Sequence, residues 1–232
     1  DDLTARSGMD SSSSFVVGLM NALLQKNSIK VSKSKLAKKS IFFEHKILNE
    51  IVGIQDAISA TYGGFNRMNI RKDGNFDIKN IKLSNQINYL NKNLVLLFTG
   101  IQRTANEIAG QYVSKLNKNK IIEMKEINSQ VDEAEQLLLK NRFDDFGKLL
   151  NEGWKLKRSL SKVVSNKKID NLYEYSMNNG ALGGKLLGAG GGGFMLLYMP
   201  YHKQKNFFKK TKKIINVPFN FSKEGSKIIL KD

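Results

Sequence analysis

The sequence predicts an α+β protein, and three features of its 232 residues indicate this class. A run of serines opens an amphipathic helix at Ser11, because apolar side chains then recur at helical spacing. Residues 94–98 and 194–199 are short, continuous apolar runs that are typical of buried strands. Helical spacing dominates between these two strands, so the pattern fits helices packed on a sheet.

Residues 1–85 form the first predicted domain, which begins with the serine-run helix. Apolar positions at helical spacing give a further helix that carries Glu44 and ends near Gly53. Asp56 is expected to cap a short third helix that a glycine pair closes. Two strand-like segments joined by an Asp-Gly turn follow, over residues 64–70 and 76–78.

Residues 86–232 form the second predicted domain, and its first strand is the apolar run at 94–98. Helices are expected over residues 103–117, 120–140, 143–163 and 167–179, and a basic helix over residues 201–213. Terminal strands are expected over residues 217–222 and 226–230. No internal repeat is visible, so a repeat architecture is excluded.

A glycine-rich segment at residues 188–193 stands immediately before the second apolar strand. Gly188, Gly190 and Gly193 match a dinucleotide-binding pattern, but that pattern requires glycines that follow a strand and open a helix. The order here is reversed, which argues against a Rossmann site. Two interpretations stay open, a tight turn between packed elements and a loop whose bare backbone approaches a ligand.

The serine run places hydroxyls and unpaired backbone N–H groups at the positive end of a helix dipole. This is an environment that a phosphate group prefers. Serines at the start of a helix are also ordinary capping residues, and capping alone would account for them.

Glu44 and Asp56 lie a dozen residues apart, on one predicted helix and at the start of the next. Two carboxylates so placed can divide the work of a transfer reaction, one holding Mg²⁺ and one accepting a hydroxyl proton. Taken alone, Asp56 is explained equally by capping and Glu44 by a solvated helix face.

The formal net charge of +17 raises the question of nucleic-acid binding. Only six of the 38 basic residues are arginine, and the lysines are spread through every segment. A solvated basic surface is therefore ranked above a nucleic-acid site. Cysteine is absent, and no apolar run reaches the 18 or so residues that cross a bilayer, so a cytoplasmic protein with no membrane partner is expected.

Taken together in this order, the serine loop, the two acids and the late glycine loop resemble the GHMP kinase superfamily, and within it the sugar kinases that act on D-glycero-D-manno-heptose 7-phosphate. The resemblance spans nearly the whole chain. The segments that carry it are residues 5–9 with the serine run, 52–56, 62–67, 99–103, 154–157 and 184–190. It implies a GHMP kinase fold, with a truncated ribosomal-protein-S5-like N-terminal domain that binds ATP and a ferredoxin-like C-terminal domain.

The resemblance also implies roles for individual residues. Ser12 and Glu44 would hold Mg²⁺, and Asp56 would orient or deprotonate the attacking sugar hydroxyl, expected to be the anomeric hydroxyl of a heptose 7-phosphate. The ATP phosphates would contact Gly8, Ser11, Ser12 and Ser13. The substrate would lie against Gly190, Gly191 and Gly192. The sugar's own phosphate would be bound by Arg103 and Lys157. A homodimer is compatible with the resemblance.

Three departures from the family pattern leave a second interpretation open. Asp10 stands where family members carry glycine in the serine loop, and Thr4 replaces an expected proline. The family's opening strands and first motif are also expected to be missing. The alternative to an active kinase is therefore an impaired or inactive remnant that keeps only a binding role.

Overall fold

The computed structural model describes residues 11–84, 86–102, 110, 120–211 and 214–229. By its internal contacts the chain divides into two compact units. One contains residues 10–82 with the segment that begins at Phe221, and the other contains residues 83–220. The boundary near residue 82 lies close to the predicted one at residue 85, whereas the C-terminal segment groups with the first part of the chain.

Within the described residues, the unit that contains the serine run has three helices, one π-helical turn and a hairpin. In order these are α1 (Ser11–Lys26), α2 (Lys33–Phe42), the π-helical turn (Phe43–Ile47), α3 (Ile54–Tyr62), β1 (Asn66–Ile70) and β2 (Phe76–Asn80). The helices α1, α2 and α3 pack on one another. Their shared core contains Val17, Leu24, Leu36 and Ala57.

The hairpin confirms the turn that was predicted from Asp73 and Gly74. Strands β1 and β2 pair antiparallel, with Met68 opposite Ile78. Gly74 has a φ of 79°, a left-handed conformation that glycine adopts without strain. Phe76 joins Ala37 and Ile58 in a second small core, so the hairpin packs on α2 and α3.

The segment after Phe221 differs from the strand predicted at residues 226–230. Among its described residues there is no strand; instead the segment crosses the C-terminal end of α3. The Gly64 N–H donates to the Ser222 carbonyl at 2.8 Å, and the Ser226 N–H donates to the Ala60 carbonyl at 2.8 Å. A Cβ on Gly63 would lie 2.1 Å from the Glu224 backbone, so glycine is required for this close approach.

In the other unit, the described residues form a three-stranded antiparallel sheet with helices packed on it. Its elements are α4 (Gln86–Lys92), β3 (Leu94–Phe98), α5 (Ile121–Leu139), α6 (Phe143–Leu160), α7 (Lys167–Asn178), β4 (Gly183–Leu186), β5 (Phe194–Tyr198) and α8 (Tyr201–Lys210). The strand order is β3-β5-β4. The segment at 215–217 adds backbone hydrogen bonds along the free edge of β3, in place of the predicted strand at 217–222.

The core of this unit follows from the alternation of side chains along the strands. Val95 and Leu97 lie on the same face as Met195 and Leu197, and all four are buried in one cluster. Helices α6, α7 and α8 contribute the cluster's large side chains, Trp154, Ile169, Tyr173 and Phe207. This arrangement of helices on an antiparallel sheet confirms the predicted α+β class.

The predicted helices agree with the structure in order but not at every end, because the helix that carries Glu44 was expected to end near Gly53 and its helical structure ends at Ile47. Helices α5, α6 and α7 lie within the expected ranges, and α8 ends at Lys210, three residues before the predicted end. The helix expected over residues 103–117 lies outside the described residues. In the described part of the chain, no helix is both long enough and apolar enough to cross a membrane.

Candidate active site

A buried contact between a serine and a glutamate lies at the start of α1. The Ser13 hydroxyl donates a hydrogen bond of 2.6 Å to Glu44 Oε1. Both side chains are enclosed, Ser13 with 2% and Glu44 with 0% of its surface exposed. The contact joins the first turn of α1 to the π-helical turn, two elements that are 31 residues apart in sequence.

The π-helical turn sets the position of Glu44. The Leu48 N–H donates to the Phe43 carbonyl, five residues earlier, at 3.0 Å. Such a widened turn inside a helix is rare and often occurs at functional sites. Here it follows α2 without a break and presents Glu44 to the interior of the unit.

The electrostatics of Glu44 favour a nearby cation. Burial raises the pKa of its carboxyl, the hydrogen bond from Ser13 lowers it in part, and the charge of Glu50 raises it further. Glu44 Oε2 is buried and has no hydrogen-bond partner among the described residues. A buried carboxylate oxygen without a partner is costly unless something positive or hydrogen-bonding reaches it.

The side chains of Glu44 and Ser13 fit part of the coordination shell of a Mg²⁺ ion that also binds phosphate oxygens. The described residues contain no group of three or more His, Cys, Asp or Glu side chains that could hold a metal ion by themselves. Mg²⁺ is usually held by one or two carboxylates, and phosphate oxygens and waters complete its shell. Glu44 supplies one such carboxylate, and the hydroxyl of Ser13 lies beside it.

The structure places Ser13, and not Ser12, in contact with Glu44, and the expected role of Ser12 in holding Mg²⁺ remains a prediction. Ser12 is exposed, and the hydroxyl in contact with Glu44 belongs to Ser13. Successive residues of a helix point about 100° apart, so two adjacent serines cannot both face the same buried carboxylate. Ser11 opens the helix as expected, whereas Gly8 and Asp10 lie outside the described residues.

Asp56 is half-buried in the first turn of α3, in the same unit as Ser13 and Glu44. The residue at the N-cap position is Gly53, so the expectation that Asp56 caps this helix is wrong. Asp56 is the third residue of α3. This position is still favourable, because a carboxylate in the first turn of a helix interacts well with the helix dipole. The catalytic role of Asp56 remains a prediction.

The glycine loop belongs to the other unit and is fixed there by its own contacts. A Cβ on Gly190 would lie 2.7 Å from the Val164 carbonyl oxygen, and one on Gly192 would lie 2.8 Å from that of Ile101. The Gly191 N–H donates to the Val164 carbonyl at 2.8 Å. Close packing therefore explains Gly190 and Gly192 as a tight turn, and their contact with a substrate remains a prediction.

Lys157 is engaged by the same loop. Its ammonium group lies 2.6 Å from the Gly188 carbonyl oxygen and 3.5 Å from that of Leu186. This contact positions the entrance of the loop, so the structure gives Lys157 a role that does not require the sugar's phosphate. Arg103, the other residue expected to bind that phosphate, lies outside the described residues.

Asn166 is a residue of this region that sequence reasoning missed. Its side-chain oxygen caps α7 by accepting from the N–H groups of Lys168 and Ile169, both at 3.1 Å. Its amide nitrogen donates to the Gly191 carbonyl at 3.2 Å. An asparagine directly before a helix is a recognisable capping signal, but its second contact depends on the tertiary fold.

Two family models match this chain. The GHMP kinases N-terminal domain matches residues 1–64, and the GHMP kinases C-terminal domain matches residues 134–209. The D-glycero-alpha-D-manno-heptose 7-phosphate kinase of Campylobacter jejuni is 31% identical over 230 residues, which cover 97% of this chain and 68% of that protein. The chain therefore belongs to the GHMP kinase family.

Solved structures support the same fold. A D-glycero-D-manno-heptose 1-phosphate kinase from Bacteroides thetaiotaomicron has a TM-score of 0.71 at 22% identity, covering 99% of this chain and 66% of that one. A galactokinase from Lactococcus lactis, complexed with galactose, has a TM-score of 0.71 at 16% identity, covering 97% and 68%. The chain thus spans about two thirds of the length of these proteins, and at these identities the likeness shows the fold.

Proposed function

We propose that this chain is a sugar kinase that transfers the γ-phosphoryl group of ATP to a sugar hydroxyl. The observation that carries the proposal is the buried Ser13–Glu44 pair at the start of α1, with Glu44 Oε2 left without a hydrogen-bond partner among the described residues. A helix N-terminus attracts phosphate, and a buried carboxylate beside it attracts the cation that accompanies ATP. The C. jejuni relative supports a heptose 7-phosphate as acceptor. We propose the anomeric hydroxyl as the group that is phosphorylated, as the family resemblance implies.

The serine run and Glu44 would bind and orient the nucleotide. Backbone N–H groups at the start of α1 would donate to phosphate oxygens, together with the hydroxyls of the serine run. Glu44 and a serine hydroxyl, Ser12 by resemblance or Ser13 by its contact, would hold Mg²⁺. When bound, this ion neutralises charge on the phosphates, and phosphoryl transfer depends mainly on such neutralisation and on positioning.

Asp56 would act on the acceptor. Its carboxylate would take the proton of the sugar hydroxyl as the hydroxyl oxygen forms a bond to the γ-phosphorus. The bond from that phosphorus to the bridging oxygen breaks at the same time, and ADP leaves. The products are a phosphorylated sugar and protonated Asp56, which returns its proton to solvent.

A remnant that binds without turnover is the second candidate, and Asp10 favours it. Asp10 directly precedes the first residue of α1, where the nucleotide phosphates are proposed to lie. Two like charges about 4 Å apart repel by roughly 4 kcal/mol at an effective dielectric of 20. Asp10 therefore opposes phosphate binding unless Mg²⁺ or a rotation of the side chain relieves the repulsion.

The experiment is a coupled assay of ADP release with ATP, Mg²⁺ and heptose 7-phosphate. We expect turnover that needs the sugar and is lost in Asp56→Asn, while the matched control Asp77→Asn keeps it, because Asp77 is an exposed partner of Arg71 in the same unit. Sugar-independent ADP release, or equal turnover in the two variants, would contradict the kinase assignment. Absence of ATP binding and turnover in the unmodified chain, with ATP binding restored in Asp10→Gly, would support the remnant.

A further inference from the structure

Two of the buried polar atoms in this structure lack a hydrogen-bond partner and are close in sequence. Among the described residues, the buried side-chain atoms without a partner are Ser40 Oγ, Glu44 Oε2, Asn91 Oδ1 and Trp154 Nε1. Ser40 and Glu44 are four residues apart and fully buried, each with 0% of its surface exposed. Unpaired buried polar atoms are rare, so this coincidence needs a physical explanation.

Ser40 and Glu44 share one face of a continuous helical stretch. Ser40 lies in the last turn of α2, and Glu44 lies in the π-helical turn that follows directly. Residues four apart on a helix are neighbours on its surface. Ser40 therefore lies one turn before the carboxylate whose other oxygen, Oε1, accepts the hydrogen bond from Ser13.

Ser40 differs from three other buried hydroxyls that lie in helices or at a helix end. A serine or threonine inside a helix commonly donates to the carbonyl four residues earlier. Thr61, Ser176 and Thr211 do so, at 2.7 Å, 2.7 Å and 2.9 Å. Ser40 does not, so among the described residues its buried hydroxyl is left without a partner.

We propose that Ser40 supplies a further oxygen to a divalent-cation site formed with Glu44 and Ser13. The inference rests on the proposed function, because it extends the site that would hold the cation of ATP. Carboxylate and hydroxyl oxygens are hard ligands of the kind that Mg²⁺ and Mn²⁺ accept. A cation there would pair with Glu44 Oε2 and Ser40 Oγ at once, which explains why both are buried without partners.

The test uses Mn²⁺ as the probe, in the full chain without nucleotide. Free Mn²⁺ is counted by electron paramagnetic resonance in titrations of the unmodified chain and of Ser40→Ala, Glu44→Gln and Ser176→Ala. Ser176→Ala is the matched control, since it also removes a buried helical hydroxyl, but in the other unit. We expect the Mn²⁺ affinity to fall by about tenfold in Ser40→Ala and further in Glu44→Gln, and to stay unchanged in Ser176→Ala.

A second measurement separates metal binding from folding. Without metal, the melting temperature of Ser40→Ala should equal or exceed that of the unmodified chain, because the variant removes an unpaired buried hydroxyl. With Mn²⁺, the unmodified chain should gain more in melting temperature than the variant. Equal Mn²⁺ affinity in the unmodified chain and Ser40→Ala would overturn the inference, as would the absence of Mn²⁺ binding, while sugar-dependent ADP release would still support the proposed function.

Discussion

The Ser13 hydroxyl and the Glu44 carboxylate form a buried hydrogen bond of 2.6 Å that ties the start of α1 to the π-helical turn. Glu44 is fully buried, and its second carboxylate oxygen has no partner among the described residues. This one contact therefore links the stability of the unit to the site at which we propose that the nucleotide binds.

The two adjacent serines should differ sharply in their effect on stability. Ser13→Ala leaves both oxygens of a buried carboxyl without a partner, so we expect a loss of about 1–3 kcal/mol in the free energy of unfolding. Ser12→Ala alters an exposed side chain and should change it by less than about 0.5 kcal/mol. Urea denaturation of both variants tests this, and equal losses would show that the contact does not stabilise the fold.

The glycine loop should be intolerant of a methyl group for reasons of packing as well as backbone conformation. Gly190 has a φ of 111° and would place a Cβ 2.7 Å from the Val164 carbonyl oxygen. Gly74 also has a positive φ, of 79°, but its Cβ would meet nothing within 4 Å. We expect Gly74→Ala to cost about 1 kcal/mol and Gly190→Ala to cost at least about 2–4 kcal/mol, measured by denaturation. A smaller loss in Gly190→Ala than in Gly74→Ala would contradict the packing.

Lys157 should act on the loop that its ammonium group contacts. Lys157→Met removes the hydrogen bond to the Gly188 carbonyl, so amide hydrogen exchange in residues 188–193 should become about tenfold faster. Lys155→Met is the control, because Lys155 lies on the same helix and pairs with exposed Glu152. Unchanged exchange together with a raised KM for the sugar phosphate would instead favour direct contact with the substrate.

Tyr173 should make the protein less stable in strong alkali. Burial raises the pKa of its phenol to about 12. An unfolded tyrosine loses its proton near pH 10, so between about pH 10 and 12 the folded state holds more protons and stability falls as pH rises. Tyr173→Phe should remove part of this fall, on the order of 2 kcal/mol, since one pKa unit corresponds to about 1.4 kcal/mol.

The control for Tyr173 is Tyr201→Phe, which alters a tyrosine that is 67% exposed. Unfolding free energies measured between pH 9 and 12 should keep the same slope in this variant. An unchanged slope in Tyr173→Phe would show that the phenol ionises as readily in the folded chain as in the unfolded one.

Regular elements of this fold could be predicted from the sequence because their signals are local. The apolar run at 94–98 coincides with β3, and the turn at Asp73 and Gly74 joins β1 to β2. The start of α1 at Ser11 follows from a change in periodicity together with a capping residue type. These signals depend on a few neighbouring residues, so the fold class and the serine-run helix could be predicted from the sequence.

Features that depend on tertiary contacts could not be predicted. The choice between Ser12 and Ser13 is set by which side of α1 meets the carboxylate of Glu44, and this depends on how α1 packs against the π-helical turn. The apolar residues near the C-terminus suggested a strand at 226–230. Instead, backbone contacts with Gly63 and Gly64 hold this segment across the end of α3. Propensity is overridden there by a close approach that only glycine permits.

The most direct test of the account is the affinity of this chain for ATP with Mg²⁺, measured by isothermal titration calorimetry. Three proteins are compared, the unmodified chain, Asp10→Gly and Glu44→Gln. We predict at least about tenfold tighter binding in Asp10→Gly, because a negative charge beside the phosphates is removed, and at least about tenfold weaker binding in Glu44→Gln. Equal affinities in the unmodified chain and Glu44→Gln, or no binding even in Asp10→Gly, would contradict a nucleotide site at the start of α1.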